Sequence, residues 1–141
     1  MIDMAKLKAT VKWVGNARLI ADNSRAHTVV LDLPRESGGE DRGPTPLELA
    51  LMSLAGCAAT IYADIARRSG VELTNLVAVV EGEKPKGSPK LMSVDLKLKV
   101  SGKARKQLLE TMWRKTEVGC PVMSIFKDSI PVKTELEASA E

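Results

Sequence analysis

Two side chains in this sequence can act as soft nucleophiles: Cys57 and Cys120 are the only cysteines, and His27 is the only histidine. A thiol can ligate metal, form a structural disulfide, do redox chemistry or pack as a small hydrophobe. The two cysteines lie far apart in the chain and match no zinc spacing, and one histidine cannot complete a site with them. In a reducing compartment a structural disulfide is disfavoured. What remains is a pair of inert buried thiols or a redox pair. Cys57 falls between Gly56 and Ala58 in an apolar stretch, with Ser53, Leu54, Thr60 and Ile61 on its own helical face. Burial there would raise its pKa and quiet it. Cys120 directly precedes Pro121 at the expected start of a helix, where unpaired N–H groups favour a thiolate. His27, at an expected strand start, is no evident general base.

The elements that must position these thiols are legible from local pattern. Residues 7–14 alternate apolar and polar, the period of a half-buried strand. Gly15-Asn16 reads as a turn leading into a returning strand over residues 18–21, and residues 27–33 read as a third strand. Residues 34–46, with three glycines, two flanking prolines and mixed charge, read as a loop. Thr45, Pro46 and Glu48 then form a helix-start signal: a capping hydroxyl, a proline at the first helical position, and the acid of a capping box. The predicted helix runs over residues 46–69 and stops at Gly70, with Arg67 and Arg68 favouring its negative end. It is apolar nearly all round and rich in alanine, as expected of a helix in the middle of a structure. One small chain would have difficulty covering it, which points to a partner chain.

Further on, residues 71–83 and 91–101 read as two strands joined by a turn-rich segment, and residues 103–117 as an amphipathic helix. A short helix is expected over residues 122–127, and the alternation over residues 130–136 predicts a final strand. The fold class is α+β: antiparallel sheets wrapped around a long buried central helix, in a single domain over residues 1–141.

Composition narrows the function further. The aromatic residues are Trp13, Tyr62, Trp113 and Phe126, so the core must be aliphatic. The net charge of +3 is scattered among acids, without the basic run or aromatic interleaving that nucleic-acid binding would call for. No secretory pattern is visible near the N-terminus. The uncharged run over residues 49–63 is shorter than the ~20 residues a bilayer needs. The expectation is a cytoplasmic protein without membrane or nucleic-acid partners.

The segment Gly43-Pro44-Thr45-Pro46-Leu47-Glu48-Leu49 through Ala55-Gly56-Cys57, followed by Val118-Gly119-Cys120-Pro121-Val122, resembles the two cysteine motifs of the OsmC/Ohr family. Leu33-Pro34-Arg35-Glu36-Ser37-Gly38-Gly39 resembles a loop of the Ohr branch. The resemblance implies an intertwined homodimer with two sites at the subunit interface, each holding both cysteines of one chain. It implies a peroxidase: Cys57 attacks an organic hydroperoxide and becomes a sulfenic acid, Cys120 resolves it to a disulfide, and a dithiol reductant reopens the bond. No cofactor or metal is implied. An apolar pocket lined by Leu54 and Ile61 would favour alkyl or lipid peroxides.

Peroxidases of the family pair an arginine and a glutamate to hold the first cysteine as thiolate. Here Leu47 stands at the glutamate position and Glu48 follows it. Along a straight helix ~13 Å of rise and about half a revolution separate Glu48 from Cys57. Glu48 is therefore expected to cap, reaching the thiol only through an intermediary or from another subunit. The arginine position aligns near Gly15 in one branch, with Arg18 close by, and near Ser37 in the other, with Arg35 and Arg42 as neighbours. The candidate catalytic set is Cys57, Cys120, Arg18, Arg35 and Glu48. The competing readings are a non-catalytic dimer binding a small apolar or electrophilic ligand at its interface, and a thiol enzyme of another reaction class.

Overall fold

The computed structural model describes residues 2–140, in two compact units divided after Met52. The first unit is an antiparallel sheet of β1 (Thr10–Gly15), β2 (Arg18–Asp22) and β3 (Thr28–Leu31), in that order. Gly15 and Asn16 both take positive φ, the backbone that a tight hairpin needs. The indole of Trp13 donates from Nε1 to the Asn16 carbonyl oxygen at 2.7 Å across this turn. Thr10 pairs with Asp22, the last residue of β2, so residues before Thr10 have no neighbour to pair with. For that reason the strand expected from residue 7 begins only at Thr10. At the other end of β2, the side chains of Asp22 and Asn23 accept the N–H groups of Ser24 and Arg25 and shape the turn into β3. The sheet leaves Val11, Trp13, Val29 and Val30 exposed.

After β3 the chain enters a loop containing one 3₁₀ turn, Arg35–Ser37. Asp32, only 2% exposed, holds this loop together. Its carboxylate accepts the N–H of Leu33 at 2.8 Å and that of Arg42 at 3.2 Å. Gly39 and Gly43 lie against the carbonyl oxygens of Leu33 and Val30, so a Cβ at either would collide with backbone.

Helix α1 (Pro46–Arg68) starts in the first unit and continues into the second. Its capping box forms as the sequence predicts: Thr45 N–H donates to Glu48 Oε1 at 2.9 Å, and Glu48 N–H to Thr45 Oγ1 at 3.1 Å. In the second unit Leu54, Ala58, Tyr62 and Ala66 recur every fourth residue along α1 and are fully buried. The remaining elements are the antiparallel pair β4 (Leu73–Glu83) and β5 (Ser93–Gly102), helix α2 (Lys106–Gly119) and helix α3 (Pro121–Lys127). Tyr62, Ala66, Val71 and Met112 make one buried cluster, with Leu76, Leu98, Val100, Leu109 and Trp113 packed around it. The Tyr62 hydroxyl donates to the Leu109 carbonyl at 2.9 Å, and burial pushes its pKa up, so the phenol stays protonated.

The architecture is α+β, as expected. By length and apolar composition, however, α1 is long enough to cross a membrane, which the shorter uncharged run did not suggest. A mostly buried core helix passes the same test; here one stripe of α1 packs against the rest of its unit, and 22% of its apolar window is buried. The opposite side of α1 leaves Met52 56% exposed. The strand expected over residues 130–136 is absent. Neither sheet takes it as a neighbour, and Ile130, Val132 and Leu136 are exposed. Alternation makes a strand only where another strand's edge accepts its hydrogen bonds.

Tyr62→Phe keeps the ring packing and removes one buried hydroxyl bond. It should lower unfolding stability in urea by about 1 kcal/mol, and an unchanged midpoint would show that this bond contributes nothing.

Candidate functional site

The second unit brings the two cysteines together. Cys57 lies on α1, one turn beyond Leu54, and is half-buried; Cys120 lies between α2 and α3 and is 3% exposed. The break between those helices follows from Pro121, which lacks an N–H and forces the preceding residue into extended backbone. Cys120 accordingly has φ −86° and ψ 109°, ending α2 and capping α3. Its Sγ accepts the N–H of Met123 at 3.4 Å. Both thiols are free, and they meet in one cluster of side chains.

The surroundings are apolar. Leu54, Cys120 and Met123 form a buried cluster against which Cys57, Val80, Val94, Leu96, Trp113, Val122 and Phe126 pack. Burial pushes the Cys120 thiol above its ordinary pKa and the adjacent Cys57 adds to the rise, while the Met123 and Val122 N–H groups work in the opposite direction. Cys120 is thus biased toward its neutral thiol form. Two neighbouring thiols, one buried and one half-buried, are a pair whose open chemistry includes oxidation to a disulfide.

A groove of about 400 Å³ shares Leu54 and Met123 with the cluster around Cys120, although neither cysteine lines it. Its walls include Leu54, Leu96, Trp113, Met123 and Phe126, with Ser93, Glu117 and Lys127 as polar members. Leu54 lines it as expected, but Ile61 does not. A second groove, about 610 Å³, lies along β5 and α2 and is lined in part by Tyr62, Lys97 and Lys99, without a cysteine. Among the described residues no cluster of His, Cys, Asp and Glu could hold a metal ion.

The other sequence candidates are placed differently. Glu48 is engaged in the capping box. In the first unit Arg18 donates from Nη2 to Glu40 Oε1 at 2.9 Å, and its Nε lies 3.8 Å from Asp32 Oδ2, buried and without a hydrogen-bond partner. Arg35 is exposed on the 3₁₀ turn and has no ion pair among the described residues. His27 faces Asn23, Nδ1 to Nδ2 at 3.0 Å. Sequence reasoning missed Asp32. An acid inside the apolar run Val29-Val30-Leu31-Asp32-Leu33 was the available signal, since a carboxylate on a strand's buried face must find partners.

With the thiol pair placed, comparison with known proteins is decisive. The profile of the OsmC-like protein family matches residues 38–135, a span that includes both cysteines. This chain belongs to the OsmC-like family. Protein YhfA of Escherichia coli K12 is similar, 24% identical over 98 residues, covering 69% of this chain and 70% of its own. Among solved structures, an OsmC-like protein from Mycoplasma pneumoniae superposes with a TM-score of 0.76 at 17% identity, covering 87% of this chain and 88% of that one. An organic hydroperoxide resistance protein OsmC from Legionella pneumophila gives a TM-score of 0.66 at 19% identity, with coverages of 89% and 92%. At such identities these structures establish a common OsmC-like fold.

Two predictions follow from the carboxylates. Glu48→Gln keeps an acceptor for the Thr45 N–H and should leave thiol reactivity and stability near their starting values, whereas Glu48→Ala should cost about 1 kcal/mol. A large loss of thiol reactivity in Glu48→Gln would instead give Glu48 a chemical role. For Asp32, burial acts to raise the pKa, but N–H bonds from Leu33, Arg42 and Glu40 and the Arg18 charge outweigh it, so the carboxyl lies below its ordinary value. A depressed folded pKa contributes stability above the unfolded value of about 3.9 that is lost as pH falls through the folded one. Asp32→Asn should therefore be less stable at neutral pH and flatten the decline in stability below about pH 4, as read by thermal unfolding across that range.

Proposed function

We propose that this OsmC-like chain is a thiol-dependent peroxidase that reduces organic hydroperoxides, with Cys57 as the attacking residue and Cys120 as the resolving one. The observation that carries this reading is the meeting of both thiols inside one apolar cluster. The difference in burial supports the assignment of roles. Cys57 is the more accessible residue, while Cys120 is buried and its thiol is biased toward the neutral form.

In the proposed cycle the Cys57 thiolate attacks one oxygen of the hydroperoxide. The O–O bond breaks, the alkoxide leaves with a proton as an alcohol, and Cys57 becomes a sulfenic acid. Cys120 gives up its proton and attacks that sulfur, expelling water and forming the Cys57–Cys120 disulfide. A dithiol reductant then exchanges with the disulfide, restores both thiols and is itself oxidised. The apolar groove lined by Leu54, Trp113, Met123 and Phe126 suits an alkyl or aryl substituent on the peroxide.

Family resemblance assigns thiolate stabilisation to an arginine, for which this chain offers Arg18 or Arg35. Glu48 is left to the cap of α1. We place the working protein in the cytoplasm as a homodimer. The exposed Val11, Trp13 and Met52 are apolar surface that a second chain would cover. The Legionella relative's designation as an organic hydroperoxide resistance protein agrees with the substrate class. One observation favours a second reading, a non-catalytic dimer that holds a small apolar or electrophilic ligand: Leu47 replaces the family's glutamate.

One equivalent of cumene hydroperoxide should consume both thiols of the wild-type chain and yield a disulfide. Cys57→Ser should lose the reaction, and Cys120→Ser should stop at a sulfenic acid that dimedone traps. Two titratable thiols persisting after a stoichiometric dose would leave the ligand-binding reading in its place.

A further inference from the structure

The sulfur that would resolve Cys57 is also the cap of a helix. Cys120 Sγ accepts the Met123 N–H, one of the unpaired donors at the start of α3. That helix is only seven residues long, too short to hold its shape without its cap and packing. Three of its residues, Met123, Phe126 and Lys127, line the groove, and Met123 also belongs to the buried cluster around Cys120.

A disulfide requires sulfurs about 2.05 Å apart, far inside the separation of two unbonded thiols in contact. Cys57 is fixed on a long helix whose flanking residues Leu54 and Ala58 are buried, so Cys120, in the short link between α2 and α3, is the partner that moves. Its Sγ accepts the Met123 N–H at 3.4 Å, and displacing Sγ toward α1 breaks that bond. We propose that forming the Cys57–Cys120 disulfide uncaps α3 and loosens the groove wall that it supplies, so that the groove grips an apolar substituent in the dithiol state and releases it in the disulfide state. The inference rests on the two thiols being able to bridge and adds a regulation to the proposed peroxidase: the bond that ends the oxidative half-reaction also frees the alcohol and exposes the disulfide to reductant. The balance is two thiols and one hydroperoxide giving one disulfide, one alcohol and one water.

Amide hydrogen exchange of residues 121–127 tests this on the full chain, compared as the dithiol, after diamide, and after cumene hydroperoxide. Exchange at Met123 and Ser124 should speed up roughly fivefold or more on bridging, the factor expected when a helix cap is lost, while amides of α1 from Leu54 to Ala66 stay protected. Cys57→Ser keeps the sulfur cap and Cys120→Ser replaces it with a hydroxyl cap. Neither can bridge, and both should retain slow exchange in α3 under the same oxidants. A disulfide confirmed by mass with unchanged exchange in α3 overturns the proposal, as does failure of diamide to bridge the pair. Bridging and faster exchange with diamide but not with the hydroperoxide would uphold the coupling and sink the peroxidase reading.

Discussion

The contact between the Cys57 and Cys120 side chains exists because α1 is anchored against the rest of its unit by a stripe of buried residues. Leu54, Ala58, Tyr62 and Ala66 fix the rotation of the helix, and with it the direction of Cys57. Tyr62 reaches across to α2 through its hydroxyl, tying the long helix to the element that delivers Cys120. A helix rotated by one residue, about 100°, would present Ala58 where Cys57 stands. The chemistry of the pair is therefore a consequence of packing. Small side chains at Gly56 and Ala58 leave room at the sulfur, and large ones at Leu54 and Tyr62 set the register.

The same packing sets the electrostatics of the site. In an apolar cluster a lone thiol stays protonated and unreactive. With two thiols in one cluster the burden falls unevenly, because the more deeply buried Cys120 is the one pushed toward its neutral form. Pro121 contributes to this arrangement from outside the cluster: by ending α2 and extending the backbone at Cys120, it turns a sulfur that would otherwise lie along a helix toward α1 and the first amides of α3. The first unit makes its own polar arrangement, in which a buried Asp32 gathers loop N–H groups and the Arg18 charge into one cluster.

Much of this was legible in the sequence where the signal was local. The capping box of Thr45 and Glu48, the turn at Gly15 and Asn16, the two long strands and the break at Pro121 each need only a few adjacent residues to define them, and each is present. What failed was non-local. Residues 130–136 carry a strand's alternation without a partner strand in either sheet, and residues 7–9 lie beyond the end of the strand that pairs with β1. The site divided along the same line. Residue types picked out both cysteines, Pro121 marked Cys120 as the start of α3, and the resemblance to a family paired the thiols, but no local pattern revealed that burial would favour the neutral Cys120 thiol or that Trp113 and Phe126 would wall a groove. Asp32 went unnoticed because its partners come from a loop whose path cannot be read from composition.

That loop has an evolutionary consequence. Gly39 and Gly43 press directly on the carbonyls of Leu33 and Val30, and every missense change at a glycine codon introduces a β-carbon. These two codons are therefore barred to drift in a way that the neighbouring exposed charges Arg35, Glu36 and Asp41 are not. The segment can vary its surface freely while its backbone trace stays frozen between the two glycines.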